Sequence, residues 1–208
     1  MTRRTALIFP GIIRRVSVSH FEGAELESSE LERFEAIVLP HLDAAYTLAR
    51  YLTGNTEDAQ DIVQDAALRA FKYFRGFRGT ELGDGRAWLL TIVRNAVRTW
   101  HQRRLPQSAD TAFDEEQHSE GIAGDDPTVN LDRQETRARL GEALAQLPHE
   151  FREVIVLRDI QELSYQEISE VTGAPEGTVM SRLHRARQRL RRMLVQGGKT
   201  GERAYDRD

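Results

Sequence analysis

Between residues 164 and 195 the apolar positions fall into two helical registers separated by a turn. Ile168 and Val171 give the first a short apolar face, and Val179, Leu183, Ala186, Leu190 and Leu194 recur at steps of three or four along the second. The punctuation agrees. Ser164 and Glu167 have capping-box spacing, Gly173 suits a left-handed helix end, and Pro175 can open the next helix without losing a hydrogen bond. The pattern predicts a helix, a four-residue turn and a second helix. Opposite the stripe lie Arg182, Arg185, Arg187, Arg189, Arg191 and Arg192, with Glu176 the only acid between 176 and 195. A cationic second helix after a tight turn is the layout of a DNA-reading helix-turn-helix, whose second helix enters the major groove. The plainer alternative is a solvated amphipathic helix, and the joint register of cap, glycine, proline and stripe favours DNA.

Helical periodicity governs the N-terminal half too. Phe34, Ile37, Val38, Leu42, Ala45, Tyr46, Ala49 and Leu52 keep steps of three or four from 31 to 52, with a kink expected at Pro40. Gly54 ends that helix, and Asn55 caps the next, whose apolar side is Ile62, Val63, Ala66, Ala70, Phe71 and Phe74. Glu57, Asp58, Asp61, Gln64 and Asp65 leave it an acidic face, by composition as easily a solvated surface as a docking one. Residues 75–85, rich in glycine, read as a loop. From 86 to 104, Trp88, Leu89, Ile92, Val93, Ala96, Val97 and Trp100 alternate with Arg94, Arg98, Arg103 and Arg104. Tryptophans on such a stripe are usually core, but arginines beside aromatics also grip a phosphate backbone. Asn95 interrupts the stripe, either to cap a second short helix or to bond a base edge.

Charge distribution changes this picture more than net charge does. The net charge of −4 hides five arginines and no acid in 86–104, against eight acids and no lysine or arginine in 105–132. The acidic stretch, punctuated by Pro106, Gly121, Gly124 and Pro127, reads as a solvated tether. The expected architecture is therefore all-α, with a flexible extension 1–30, a helical module 31–104, a linker 105–130, a second module 131–195 and a tail 196–208. With no cysteine there is no disulfide or thiolate metal site, and no spacing suggests a metal, a cofactor or a catalytic acid/base pair. The apolar run from Ala6 to Pro10 is too short to insert in a membrane. A non-enzymatic cytoplasmic protein is expected.

Three stretches, TEDAQDIVQDAALRAF at 56–71, RAWLLTIVRNAVRTWHQRR at 86–104 and LPHEFREVIVLRDIQELSYQEISEVTGAPEGTVMSRLHRARQRLRRML at 147–194, resemble in order the extracytoplasmic-function (ECF) group of bacterial sigma-70 family RNA polymerase sigma factors. The resemblance implies a sigma region 2 bundle in the first module and a region 4 helix-turn-helix in the second. It implies an alternative sigma factor that binds core RNA polymerase, directs it to particular promoters and assists their opening. Asp58, Asp61, Gln64 and Asp65 would then dock on the polymerase clamp. Asn95, with Arg94, Arg98, Arg103 and Arg104, would read the minus-ten element by capturing an unpaired base, whose unstacking costs a few kcal/mol. Thr178, Ser181, Arg182, His184, Arg185 and Arg189 would meet the minus-35 element. Met180 stands where many members carry a cation, and the 80–85 loop is longer than usual. An anti-sigma factor is an expected third partner, beside polymerase and promoter DNA. A decoy that occupies an anti-sigma factor, or a plain helix-turn-helix regulator, is the alternative reading.

Overall fold

The computed structural model describes residues 28–79, 82–104 and 139–201. The helices α1 (Ser28–Val38), α2 (Leu42–Thr53), α3 (Thr56–Tyr73) and α4 (Leu82–Arg104) form the first module. The second contains α5 (139–145), α6 (His149–Ile155), α7 (Tyr165–Thr172) and α8 (Glu176–Gly201). No strand occurs among the described residues. Residues 1–27 of the expected extension, the linker, residues 131–138 of the second module and residues 202–208 of the expected tail lie outside them, whereas residues 28–30 open α1 and α8 continues past 195 to Gly201.

Local signals account for most boundaries. Pro40 sits in a 3-10 turn, Leu39–His41, that divides α1 from α2. Gly54 adopts φ 74° and donates its N–H to the Arg50 carbonyl, while the Asn55 side chain accepts from the N–H groups of Glu57 and Asp58. The Ser164–Glu167 capping box forms in both directions, and Gly173 takes φ 69°. Three residues rather than four separate α7 from α8, and the Pro175 carbonyl accepts from Thr178 and Val179, so this proline precedes the helix instead of opening it.

Helices α2, α3 and α4 pack mutually, with α1 laid across α4. An aromatic cluster closes one end: Phe34 meets Phe71 and Phe74 edge-on at 5.3 Å between ring centres, and Phe77 lies 4.8 Å from Trp88. Such pairs add about 0.5–1.5 kcal/mol each beyond burial. The region expected to be a loop up to residue 85 is instead helical from Leu82. A Cβ at Gly85 would lie 2.4 Å from Ile37 Cγ2 and 2.6 Å from the Ile37 carbonyl oxygen, so the glycine permits close approach of α4 to α1 rather than breaking the chain. Asn95 is an interior residue of the continuous α4, so it caps no second helix.

The two modules also pack on one another, α4 against α7 and α2 against α6. A π-type turn, Val156–Ile160, follows α6; the N–H of Gln161 reaches back to the Val156 carbonyl and Glu162 takes φ 58°. This places Gln161, only 6% exposed, between the modules. Its amide nitrogen donates to the Ala44 carbonyl at 3.1 Å, while Arg86 donates to its side-chain and backbone oxygens. Arg152 donates to several carbonyls, among them Leu144 of its own module and Leu52 of the other. Beside it, His101 of α4 and His149 of α6 meet edge-on at 5.2 Å, each with a buried Nε2 that has no hydrogen-bond partner.

Two measurements follow from this packing. Gly85→Ala should cost about 1–3 kcal/mol in denaturant unfolding because the Ile37 backbone cannot yield, whereas Gly177→Ala, which meets open space, should be neutral or stabilising by at most about 1 kcal/mol. The second concerns pH. Burial, then the neighbouring His101, Arg152, Arg94 and Arg98, lower the His149 pKa from 6.5 to about 4. A state that exposes His149 therefore takes up a proton before the packed state does. The contribution of the neutral imidazole is full above pH 6.5 and is lost as pH falls toward 4, amounting to at most about 3 kcal/mol. The melting temperature should drop over that window, and His149→Gln should flatten the drop.

Candidate nucleic-acid and polymerase interface

The sequence expectation grouped five residues of α4 as one DNA surface, and the fold divides them. Asn95 and Arg98 are exposed three residues apart, on one side of the helix, and Arg103 is exposed nearer its end. Arg94 instead turns into the junction between modules. Its Nε donates to Glu153 Oε1 at 2.8 Å, and the two side chains are 18% and 2% exposed. Burial pushes the Glu153 carboxyl up, and the Arg94 guanidinium pulls against that shift. Arg104 stacks on the Trp100 ring, 4.4 Å from guanidinium carbon to ring centre, and donates to Asp58 at 3.0 Å.

Asp58 is thereby drawn out of the acidic face. It accepts from both Trp100 Nε1 and Arg104, tying the start of α3 to the end of α4. Of the other three residues expected to dock polymerase, Asp61 and Asp65 are exposed and Gln64 is half-buried; Asp65 pairs with Arg69 one turn on at 2.8 Å. The acidic face of α3 and the basic end of α4 are thus joined through one carboxylate, a link that sequence spacing alone does not reveal.

On α8 the apolar stripe buries Val179, Leu183 and Ala186, leaves Leu190 half-buried and lets Leu194 emerge into solvent. The exposed side presents Ser181, His184, Arg185 and Arg189, with Thr178 half-buried at its start. Ser181 donates to the Thr178 carbonyl at 3.0 Å, and His184 pairs with Gln188 at 2.9 Å. Arg182 is held by Glu150 of α6 at 2.7 Å, and Arg187 by both oxygens of Asp159. Arg189 covers the Phe151 ring. Arg98, Arg103 and Arg185 enter no ion pair among the described residues. Met180 is 45% exposed on this surface, an apolar spot among donors. Among the described residues no group of histidines and acids could hold a metal, and no helix is long and apolar enough to cross a membrane.

Sequence comparison agrees with this geometry. Residues 37–105 match Sigma-70 region 2, and residues 137–190 match Sigma-70, region 4. The chain is 34% identical over 176 residues to the ECF RNA polymerase sigma factor SigE of Mycolicibacterium smegmatis, covering 81% of this chain but only 64% of that relative. It is 30% identical over 179 residues to the ECF RNA polymerase sigma factor SigW of Bacillus subtilis, covering 82% of this chain and 93% of SigW. Among solved structures, the sigma factor RpoE of Bartonella quintana, crystallised with the anti-sigma factor NepR, superposes with a TM-score of 0.65 at 29% identity over 79% of this chain and 98% of that one. CnrH, solved with the cytosolic domain of CnrY, gives 0.57 at 26% identity over 80% and 90%. With both sigma modules in order and a near-complete relative at this identity, the chain belongs to the ECF group of the sigma-70 family.

Proposed function

We propose that this protein is an alternative sigma factor that acts as a promoter-specificity subunit in the cytoplasm and catalyses no reaction. The observation that carries the reading is the pairing of two exposed basic helices, α4 and α8, on separate modules, the first tied through Asp58 to an acidic face. In this reading Asp61, Gln64 and Asp65 dock on core polymerase, with Asp58 fixing their helix against α4. Asn95 and Arg98 read the opened minus-ten element, assisted by Arg103, and by Arg94 and Arg104 once their intramolecular partners release them. An amide offers a donor and an acceptor to a flipped base edge, while arginines hold the phosphates around it. Thr178, Ser181, His184 and Arg185 face the minus-35 major groove, with Arg182 and Arg189 at its flanks.

Each module alone makes few phosphate contacts, so DNA affinity without polymerase should be weak and steeply salt-dependent. The relatives solved with NepR and CnrY motivate the further expectation of an anti-sigma partner for this chain. A decoy would have no need of Asn95, Arg98 and Arg185 on open surfaces, which disfavours that alternative.

The test is run-off transcription with sigma-free core polymerase on a pool of genomic promoter fragments. Discrete starts sharing two upstream elements are expected. Asn95→Ala and Arg98→Ala should each lower initiation about 5- to 150-fold, the range for one or two lost base or phosphate contacts, without loss of polymerase binding. Asp61→Arg with Asp65→Arg should abolish binding to core. No transcripts from folded protein, or transcription indifferent to all four substitutions, would remove the reading.

A further inference from the structure

The first three turns of α8 carry the side chains proposed to face the minus-35 element, and one residue there differs in kind from the rest. Val179, Leu183 and Ala186 are buried, whereas Met180 is 45% exposed and is the one apolar side chain that residues 176–186 leave in solvent. Gly177, one turn before it, has no side chain, and a Cβ there would meet open space, so nothing at that position shields the thioether. One turn after it, His184 lies on the same flank of the helix and is held by Gln188 at 2.9 Å. Met180 is thus presented outward beside a fixed polar ring.

Its neighbours Thr178, Ser181, His184 and Arg185 can match the donors and acceptors of base edges and phosphates. A thioether is at best a weak acceptor. Pressed against an amino group or a carbonyl of a base, Met180 would strip water from a polar atom and replace no hydrogen bond, which opposes binding. The major-groove edge carries one apolar group, the C5-methyl of thymine. Contact between that methyl and the thioether withdraws apolar surface from water on both partners. The unbranched methionine, with three rotatable bonds, can reach it over a range of helix positions. One contact therefore favours thymine and disfavours the other three bases.

We propose that Met180 is a specificity-determining residue, which reads the C5-methyl of one thymine in the minus-35 element. The proposal rests on the sigma-factor reading and adds to the hydrogen-bonding side chains of α8 a contact of the opposite chemical kind. Because no charge takes part, the discrimination at that base pair is insensitive to salt, unlike the contribution of the arginines along the same helix.

The test uses the full chain with core polymerase on a promoter found by run-off transcription. Each thymine of its upstream element, on both strands, is replaced in turn by uracil, which removes the methyl and keeps every hydrogen-bonding group. At one thymine, uracil should lower initiation at subsaturating holoenzyme about 3- to 10-fold, as expected for roughly one or two carbon groups left in water. Met180→Ala should lower initiation from the thymine template to the same level and no longer respond to uracil there, so the two losses do not add. The position is exposed and alanine is a strong helix former, so the variant keeps its fold. Met180→Lys gives an independent readout: its ammonium can donate to guanine O6 and N7, so preference at that base pair should pass from thymine to guanine. Equal losses by Met180→Ala on thymine and uracil templates, an element in which no uracil replacement matters, or a lysine variant that still prefers thymine overturns the proposal. Transcripts indifferent to the methyl sink only this contact, whereas the absence of transcripts sinks the sigma-factor reading beneath it.

Discussion

The arrangement of the two modules, as far as they are described, depends on an ion pair held largely out of water. Arg94 and Glu153 come from different modules, and neither would tolerate burial alone, because an unpaired charge in a low-dielectric junction costs several kcal/mol. Each carboxylate or guanidinium that enters the junction must therefore bring its partner. Arg86 meets the oxygens of Gln161, and Arg152 meets backbone carbonyls on both sides. This requirement fixes the relative placement of α4, α6 and the turn after α6 more tightly than apolar contact would, since hydrogen bonds demand both distance and direction.

The π-type turn is what makes that pairing possible. One extra residue in the turn after α6 swings Gln161 inward, where an α-helical continuation would direct a different side chain. The same turn leaves Asp159 exposed, free to hold Arg187 of α8. The recognition helix and the junction are thus positioned by a common five-residue irregularity. At the opposite end of α6, His101 and His149 form a weak point, because each has a buried Nε2 without a partner and burial opposes the charge that acid would impose.

Within the first module, Asp58 plays the corresponding part on a smaller scale. By accepting from Trp100 and Arg104 it makes the start of α3 and the end of α4 one rigid unit. Under the proposed function, docking on α3 thereby fixes the orientation of the arginines on α4. On α8 the corresponding rigidity comes from Arg182 and Arg187, which anchor the helix to Glu150 and Asp159. These arginines belong as much to the scaffold as to any DNA surface.

Short-range sequence patterns suffice for the helices, most of their caps and the stripes that bury them. Those features depend on side chains a few residues apart: Asn55 on Glu57 and Asp58, Ser164 on Glu167, Val179 on Leu183 and Ala186. The sequence also carries the family signature, because the basic helices and the acidic face are local patterns. Gly85 reads as a loop residue in the sequence because its role, contact with Ile37, lies far away along the chain. For the same reason only the tertiary structure could divide the arginines into those that face solvent, Arg98, Arg103 and Arg185, and those that hold the fold, Arg94, Arg104 and Arg182. Charge is a property of a residue; what it is charged against depends on partners such as Glu153, Asp58 and Glu150, which lie 32 to 59 positions away and are brought near only by folding.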